Sequence, residues 1–374
     1  MANNTGVTLA KIRAGTASFK EDNTTCSDEI KAVQKALKLI GFWGSPSAPD
    51  GIYGAYSVAA VKGFQCETGL TISGNFDKNT LTKLESFFSF SLYAGHSNTP
   101  SWLAIASGYD YAGQGSSGSA VAEIRSQLIK KGYSVATSGS FDATLTSVVK
   151  QFQKNYGLDQ DGSVGQKTYC VLVGNATSTN WFEKIKDDTG KITLTPDHLA
   201  RCGFSGVLLN LGVSDLNIAL NKYNINTKQK VRHFLAQCMY ETEKGTQFVE
   251  YGYQAGRGKV AGVSYSPYYG SGCLHLSREA GYKGFYDYMK EIGVTDEKIY
   301  IPAAYATQHV AFKYPGRSAG WYWEEGRELN KNNNVDWSKS ASDICTTLTG
   351  LIVGSESSAP TRLGYYNKIS TVLK

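Results

Sequence analysis

IKAVQKALKLIGFWGSPSAPDGIYGAYSVAAVKGFQCETGLTISGNFDKNTLTKL, from Ile30 to Leu84, has a second copy in VAEIRSQLIKKGYSVATSGSFDATLTSVVKQFQKNYGLDQDGSVGQKTYCVL, from Val121 to Leu172. Phe64-Gln65 aligns with Phe152-Gln153, Gly69-Leu70 with Gly157-Leu158, Gly74 with Gly162, and Thr80 with Thr168. Such self-similarity marks a duplicated supersecondary unit. In copy one, Ile30, Val33, Leu37 and Ile40 recur at helical spacing, and Gly41 ends the run. The turn-rich SPSAPDGIYG follows. A second helix carries Val58, Val61 and Phe64 and stops at Gly69; a short third one ends near Leu81 and Leu84. Each copy is expected to be a three-helix unit of roughly 55–60 residues, close to the smallest size at which one core holds by itself.

The whole chain is too long for one core. Its 374 residues imply two or three domains. Hydrophobic residues at 41% and charged ones at 19% supply enough apolar surface for real cores. The net charge of +6 suits approach to an anionic polymer. It is too small and too dispersed for nucleic acid, and no Lys/Arg block is interleaved with aromatics. Seven cysteines stand far apart without a CxxC pair, which argues against zinc ribbons and dithiol redox sites. They read as free thiols of a protein made in a reducing compartment. The start, MANNTGVTLAKIRAG, lacks the basic and apolar regions of a signal peptide. No apolar run reaches membrane-spanning length, so no membrane insertion is expected. The expected product is a monomer made in a cytoplasm, reaching any outside substrate only after release by another agent.

Between the copies, residues 87–117 are rich in Ser, Gly and aromatics and read as a linker with some packed structure. GNATSTN, from Gly174 to Asn180, reads as the polar loop before a C-terminal domain. The pattern DGIYG…VAAVKGFQ…GL…G…T resembles the three-helix peptidoglycan-binding repeat of bacterial and phage cell-wall hydrolases. Copy two departs from it, with SGSFD in place of DGIYG. The resemblance implies modules at 27–88 and 115–174 that bind bacterial peptidoglycan, and leaves 181–374 for a third domain.

In that third domain NTKQKVRHFLAQCMYETEKG, from Asn226 to Gly245, reads as a helix with Asn226 or Thr227 as N-cap and Gly245 as its end. Val231, Phe234, Leu235, Cys238 and Met239 form its apolar stripe. At 100° per residue Glu241 falls about 20° from Phe234 and extends that stripe, while Glu243 points roughly the opposite way. Partial burial and the helix C-terminus both disfavour a charged Glu241, as a general acid requires. Glu250 follows nine residues later in a loop. A hydrated loop carboxylate stays ionised and suits a general base. Two carboxylates in unlike surroundings are what glycosidic cleavage needs, and a wide separation makes the reaction inverting.

The run RHFLAQCMYETEKGTQFVE…YYGSGCLHLS…GY resembles glycoside hydrolase family nineteen, which holds chitinases and phage endolysins of lysozyme-like α-helical fold. AGWYWEEGRELN and LTGLIVGSESSAPTRLGYY extend the likeness over 196–374. The resemblance implies Glu241 as acid, Glu250 as base and Ser277 as the hydroxyl that positions water. It places Tyr269, Gly270, Ser271, Gly272, His275 and Tyr282 along the substrate cleft and Arg362 near the base side. Ser271, His275 and Tyr240 stand where the family carries Arg, Gln and His, and Thr349 replaces or displaces its Asn. These departures bear on which glycan is bound. The expected fold class is thus mainly α: two small three-helix modules and an α-helical, lysozyme-like domain.

No metal or cofactor is expected. The five histidines, His96, His198, His233, His275 and His309, lack HExxH or similar spacing. His233 reads as helix surface or as support for the cleft. Cys273 with His275 as base is a minor alternative, since residues two apart in an extended segment share a side. Tyr265, Tyr268, Tyr269, Trp321 and Trp323 are candidates for stacking on sugars, against the commoner fate of core packing. The function expected is an endolysin-like peptidoglycan hydrolase. A chitinase of the same family and an inactive wall-binding protein are the alternatives.

Overall fold

The computed structural model describes residues 4–175, 185–259, 266–331 and 334–374. Among them the chain is mainly α-helical, with sixteen α-helices and one two-stranded sheet. It divides into two compact units: Met1–Ser178 with Thr195–Gly206, and Thr179–Leu194 with Val207–Lys374. Residues 176–180 of the GNATSTN loop and the expected domain start at 181 lie outside the described residues.

Both repeats lie in the first unit. Copy one supplies α2 (Asp28–Leu39), α3 (Ala55–Thr68) and α4 (Lys78–Phe88); copy two supplies α6 (Ser119–Lys130), α7 (Ala143–Asn155) and α8 (Gln166–Val173). Ile30, Val33, Leu37, Ile40, Val61 and Phe64 are buried, as their spacing requires. Each module has one more helix than expected. α1 (Leu9–Ala14) packs on α4, and α5 (Trp102–Ser107) packs on α8. After α1 the chain forms a bridge between Phe19 and Phe76; after α5 it forms one between Ala112 and Val164. The stretch read as a linker therefore contains the leading helix of the second module.

The matched residues of the repeat form one buried device. Gln65 accepts from the backbone N–H of Ser73 (3.0 Å) and Gly74 (2.9 Å) and donates to Asn75 O (2.9 Å) and Thr80 Oγ1 (3.0 Å). Gln153 accepts from Gly162 N (2.9 Å) and donates to Ser163 O (2.9 Å) and Thr168 Oγ1 (3.2 Å). A buried side-chain amide thus closes the turn between the last two helices and satisfies the N–H of the buried Gly74 or Gly162. Gly74 has φ +75°, and a Cβ there would lie 2.8 Å from Val58 Cγ1. Gly162 has φ +80° and the same crowding, 2.8 Å from Thr146 Cγ2. That is why both copies keep glycine.

The loop before the middle helix is held differently in each. In copy one Gln34 accepts from Gly51 N (2.8 Å) and donates to Asp50 Oδ1 (2.8 Å) and Ile52 O (2.9 Å). This seats Ile52–Tyr53 as a short strand against Asp22–Cys26. In copy two the buried Arg125 does the work, donating to Ala136 O (3.1 Å) and Ser140 O (2.6 Å).

After the Lys186–Ile192 bridge of its first segment, the second unit resumes with a π-helical turn, Leu208–Gly212, running into α10 (Val213–Lys222); α9 is the short Pro196–Cys202 of the first unit. Its centre is α11 (Lys228–Glu241), capped by Thr227 and buried from His233 through Met239. α12 (Arg278–Glu291), α13 (Ala303–Lys313), α14 (Pro315–Trp321), α15 (Ala341–Val353) and α16 (Ala359–Val372) surround it, with α16 packed along α11. α14 lies tight on α10, since a Cβ on Gly316 would come 2.5 Å from Leu216 N. Asp215 locks that contact by accepting from Gly316 N (2.7 Å) and Arg317 N (2.8 Å), an anion at a helix start. The unit is α-helical, as a lysozyme-like domain requires.

Candidate active site

α11 ends at Glu241 itself, four residues before Gly245. Glu243 and Lys244 take positive φ values of 47° and 62°. Thr242 holds the turn: its hydroxyl donates to Cys238 O (2.6 Å) and accepts from Gly245 N (2.8 Å). Glu241 lies at the margin of the buried stripe with a side chain 16% exposed, whereas Glu243 faces outward.

The Glu241 carboxylate is held from beneath. Arg362 on α16 is fully buried and donates through Nη2 to Glu241 Oε1. Its Nη1 donates to Gln237 Oε1 (2.6 Å), its Nε donates to Ser358 Oγ (2.9 Å), and its guanidinium lies 4.1 Å from the Tyr240 ring centre. Gln237 passes the chain on, donating to Thr349 Oγ1 (3.4 Å). Arg362 therefore serves the acid candidate, which corrects its expected place near the base side. Having no exposed surface, it does not offer itself to substrate.

Glu250 is fixed by the glycine-rich segment. Its Oε2 accepts from Gly270 N (2.8 Å), and its own N–H donates to Gly270 O (2.8 Å). Val249 bridges Ser271, and Ser271 bridges Leu276, so the segment folds into a small antiparallel turn. His275, at φ +50°, stands at its tip. Its Nδ1 lies 3.7 Å from Glu241 Oε2. A Cβ on Gly270 would lie 2.9 Å from His275 Cβ and 3.1 Å from Glu250 Oε2. The imidazole thus lies beside Glu241, and Gly270 is bordered by both His275 and Glu250. Burial holds it below the usual histidine range, against the pull of Glu241 and Glu250. Its Nε2 is buried with no hydrogen-bond partner among the described residues.

Other expected cleft residues lie deeper. Ser271 and Tyr282 are fully buried, and their hydroxyls share a 2.6 Å hydrogen bond. Tyr282 also donates to Tyr269 O (2.7 Å). Both brace the segment from its inner side, which corrects the expectation that they line the cleft. Tyr269 is also buried, packed on Tyr253. Ser277 begins α12, half-buried, and its hydroxyl makes no capping bond. Tyr268, Trp321 and Trp323 are packed inside, and Tyr265 lies outside the described residues.

Cys273 is not placed as a nucleophile with His275. The segment turns between them instead of extending, and the thiol is buried against Cys238. His233 is fully buried, stacked on Tyr366 at 4.2 Å, which corrects its reading as surface or cleft support. All seven cysteines are free thiols. Gln237 was missed in the sequence. Its signal was a polar side chain on the apolar stripe, one turn before Glu241.

Residues 26–84 and 117–172 match the model of the family described as "Putative peptidoglycan binding domain". No curated protein and no solved structure matches the chain. The two modules are of the peptidoglycan-binding kind, and peptidoglycan is the partner they mark. Among the described residues no helix is long and apolar enough to cross a membrane.

Proposed function

We propose that the chain is a peptidoglycan hydrolase whose modules tether it to the wall while the C-terminal unit cuts the glycan backbone. The observation that carries this reading is the convergence of two carboxylates on His275: Glu241 lies 3.7 Å from its Nδ1, and Glu250 is held on Gly270, which borders His275 as well. In this reading Glu241 protonates the glycosidic oxygen, and Arg362 receives the resulting carboxylate. Glu250 takes a proton from water, which attacks the anomeric carbon from the other face and inverts it. The uncapped hydroxyl of Ser277 helps hold that water. A phage or prophage lysis enzyme, made inside the host and released to the wall, is the setting that suits such a design.

A second reading rests on one observation. His275 crowds Glu241 and the Gly270 turn that holds Glu250, which suits a wall-binding protein without turnover. Purified peptidoglycan separates the two. The first reading expects clearing with new reducing ends, abolished by Glu241→Gln in a folded protein. Wall binding without clearing supports the second, and new free amines instead of reducing ends would remove the glycosidase assignment. Soluble sugars from chitin would move the substrate to chitin.

A further inference from the structure

A cavity of ≈ 260 Å³ opens in the first unit between α2 and the stretch from Tyr93 to Tyr111 that leads into the second module. Its floor is Tyr109, almost fully buried. Lys35, half-buried on α2, holds its ammonium 5.1 Å from the Tyr109 ring centre. That ammonium has no hydrogen bond or ion pair among the described residues. Burial pushes its pKa down, with Asp110 pulling the other way.

Asp110 does not neutralise it directly. This carboxylate is buried and fully engaged. Oδ1 meets His96 Nδ1 (2.6 Å) and Tyr111 N (2.9 Å), while Oδ2 accepts from Tyr93 Oη (2.6 Å) and Ser97 N (3.0 Å). Its role is to fix the loop. One product is the His96–Tyr111 pair, stacked 4.3 Å apart with an 8° tilt, standing as a flat wall of the cavity. The rim carries one charge of each sign, Lys31 and Asp28. The lining thus balances two acids, Asp28 and Asp110, against two lysines, but Asp110 is spent on the loop and the close contact of the Lys35 ammonium is the Tyr109 ring face.

We infer that this cavity is a carboxylate site for the free end of a short peptide, with Lys35 as its cation and the His96–Tyr111 stack as its wall. A half-buried ammonium whose close contact is a ring face has lost water without gaining a hydrogen-bond acceptor, and an anion entering the cavity supplies one. Cell-wall peptides end in such carboxylates. The inference rests on the wall-binding reading of the modules and extends it to the space between them.

The test uses the full chain and two probes, N-acetyl-D-alanyl-D-alanine and its C-terminal amide, in calorimetric titrations. The acid is expected to bind about tenfold more tightly than the amide. Lys35→Met should erase that preference and Lys35→Arg should keep it. Equal binding of acid and amide, unchanged preference in Lys35→Met, or equal competition by inorganic phosphate overturns the assignment. Should Lys35→Met misfold, the acid-amide comparison on the wild type still decides. Sedimentation with purified sacculi is read alongside. Sedimentation without acid preference sinks the cavity alone. Acid preference without sedimentation leaves the cavity standing and sinks the wall-binding reading.

Discussion

Arg362, without exposed surface, grips a carboxylate oxygen of Glu241 at the last residue of α11. One guanidinium thereby ties α16, the Gln237–Thr349 chain and the candidate acid together. Arg362→Met should destabilise the second unit by about 3–5 kcal/mol, because it leaves a mostly buried carboxylate and a buried amide without their donor. Arg362→Lys should recover only part, since an ammonium cannot reach three partners in a plane. Urea unfolding of both variants checks this; a loss near zero for Met would mean the grip contributes nothing.

Gly270 should tolerate no side chain. Gly270→Ala forces His275 or Glu250 aside. On the hydrolase reading, misplacing a reacting group by about 1 Å lowers peptidoglycan clearing on the order of a hundredfold. Clearing at the wild-type rate would show that the base position does not depend on this contact.

The glutamine devices differ in one respect that hydrogen exchange can read. Gln65→Ala strands the buried Gly74 N–H and leaves the N–H of Ser73, an exposed residue, to water. Gln153→Ala strands only Gly162 N, because Asp161 still accepts from Ser163 N at 2.8 Å. Each module should lose about 1–3 kcal/mol for its one stranded glycine N–H, and the Ser73 amide should lose exchange protection where the Ser163 amide keeps it. Equal losses at these two serine amides would contradict the difference.

His233 should make the second unit acid-sensitive. Burial lowers its pKa to about 3, and neither ring nitrogen has a partner among the described residues. The unfolded chain takes up a proton near pH 6.5, and the folded one does not until about pH 3. Stability is therefore full above about 6.5 and falls with pH down to about 3, by up to about 1.4 kcal/mol per unit. His233→Phe should keep the stack on Tyr366, raise stability and flatten this slope. Unfolding midpoints between pH 7 and pH 4 provide the measurement, and an unchanged slope would exclude His233 as its source.

Much of the first unit was legible because its cores are periodic: Ile30 through Ile40 and Val58 through Phe64 announce their helices. The leading helices α1 and α5 were not legible. At six residues each, they are too short for periodicity to register and are held by tertiary contact. In the second unit the stripe of α11 pointed to Glu241. The partner of Glu241 did not show, because Arg362 lies more than a hundred residues away and reaches it through α16 packing. The resemblance put Ser271 and Tyr282 along the cleft, and residue type alone could not say which side of the turn faces inward. The positive φ at His275, unusual for a non-glycine residue, likewise leaves no trace in the sequence.

The two modules keep the Gln–Gly–Thr lock while one loop hangs on Gln34 and the other on Arg125. Frame and fingertip are thus independent parts. A lineage that duplicates the module can redraw one loop by exchanging the side chain that anchors it, with the frame of both copies unchanged. For the engineer, the Asp50–Gly54 loop together with Gln34 is a cassette that can be moved into the second frame, where Arg125 now stands.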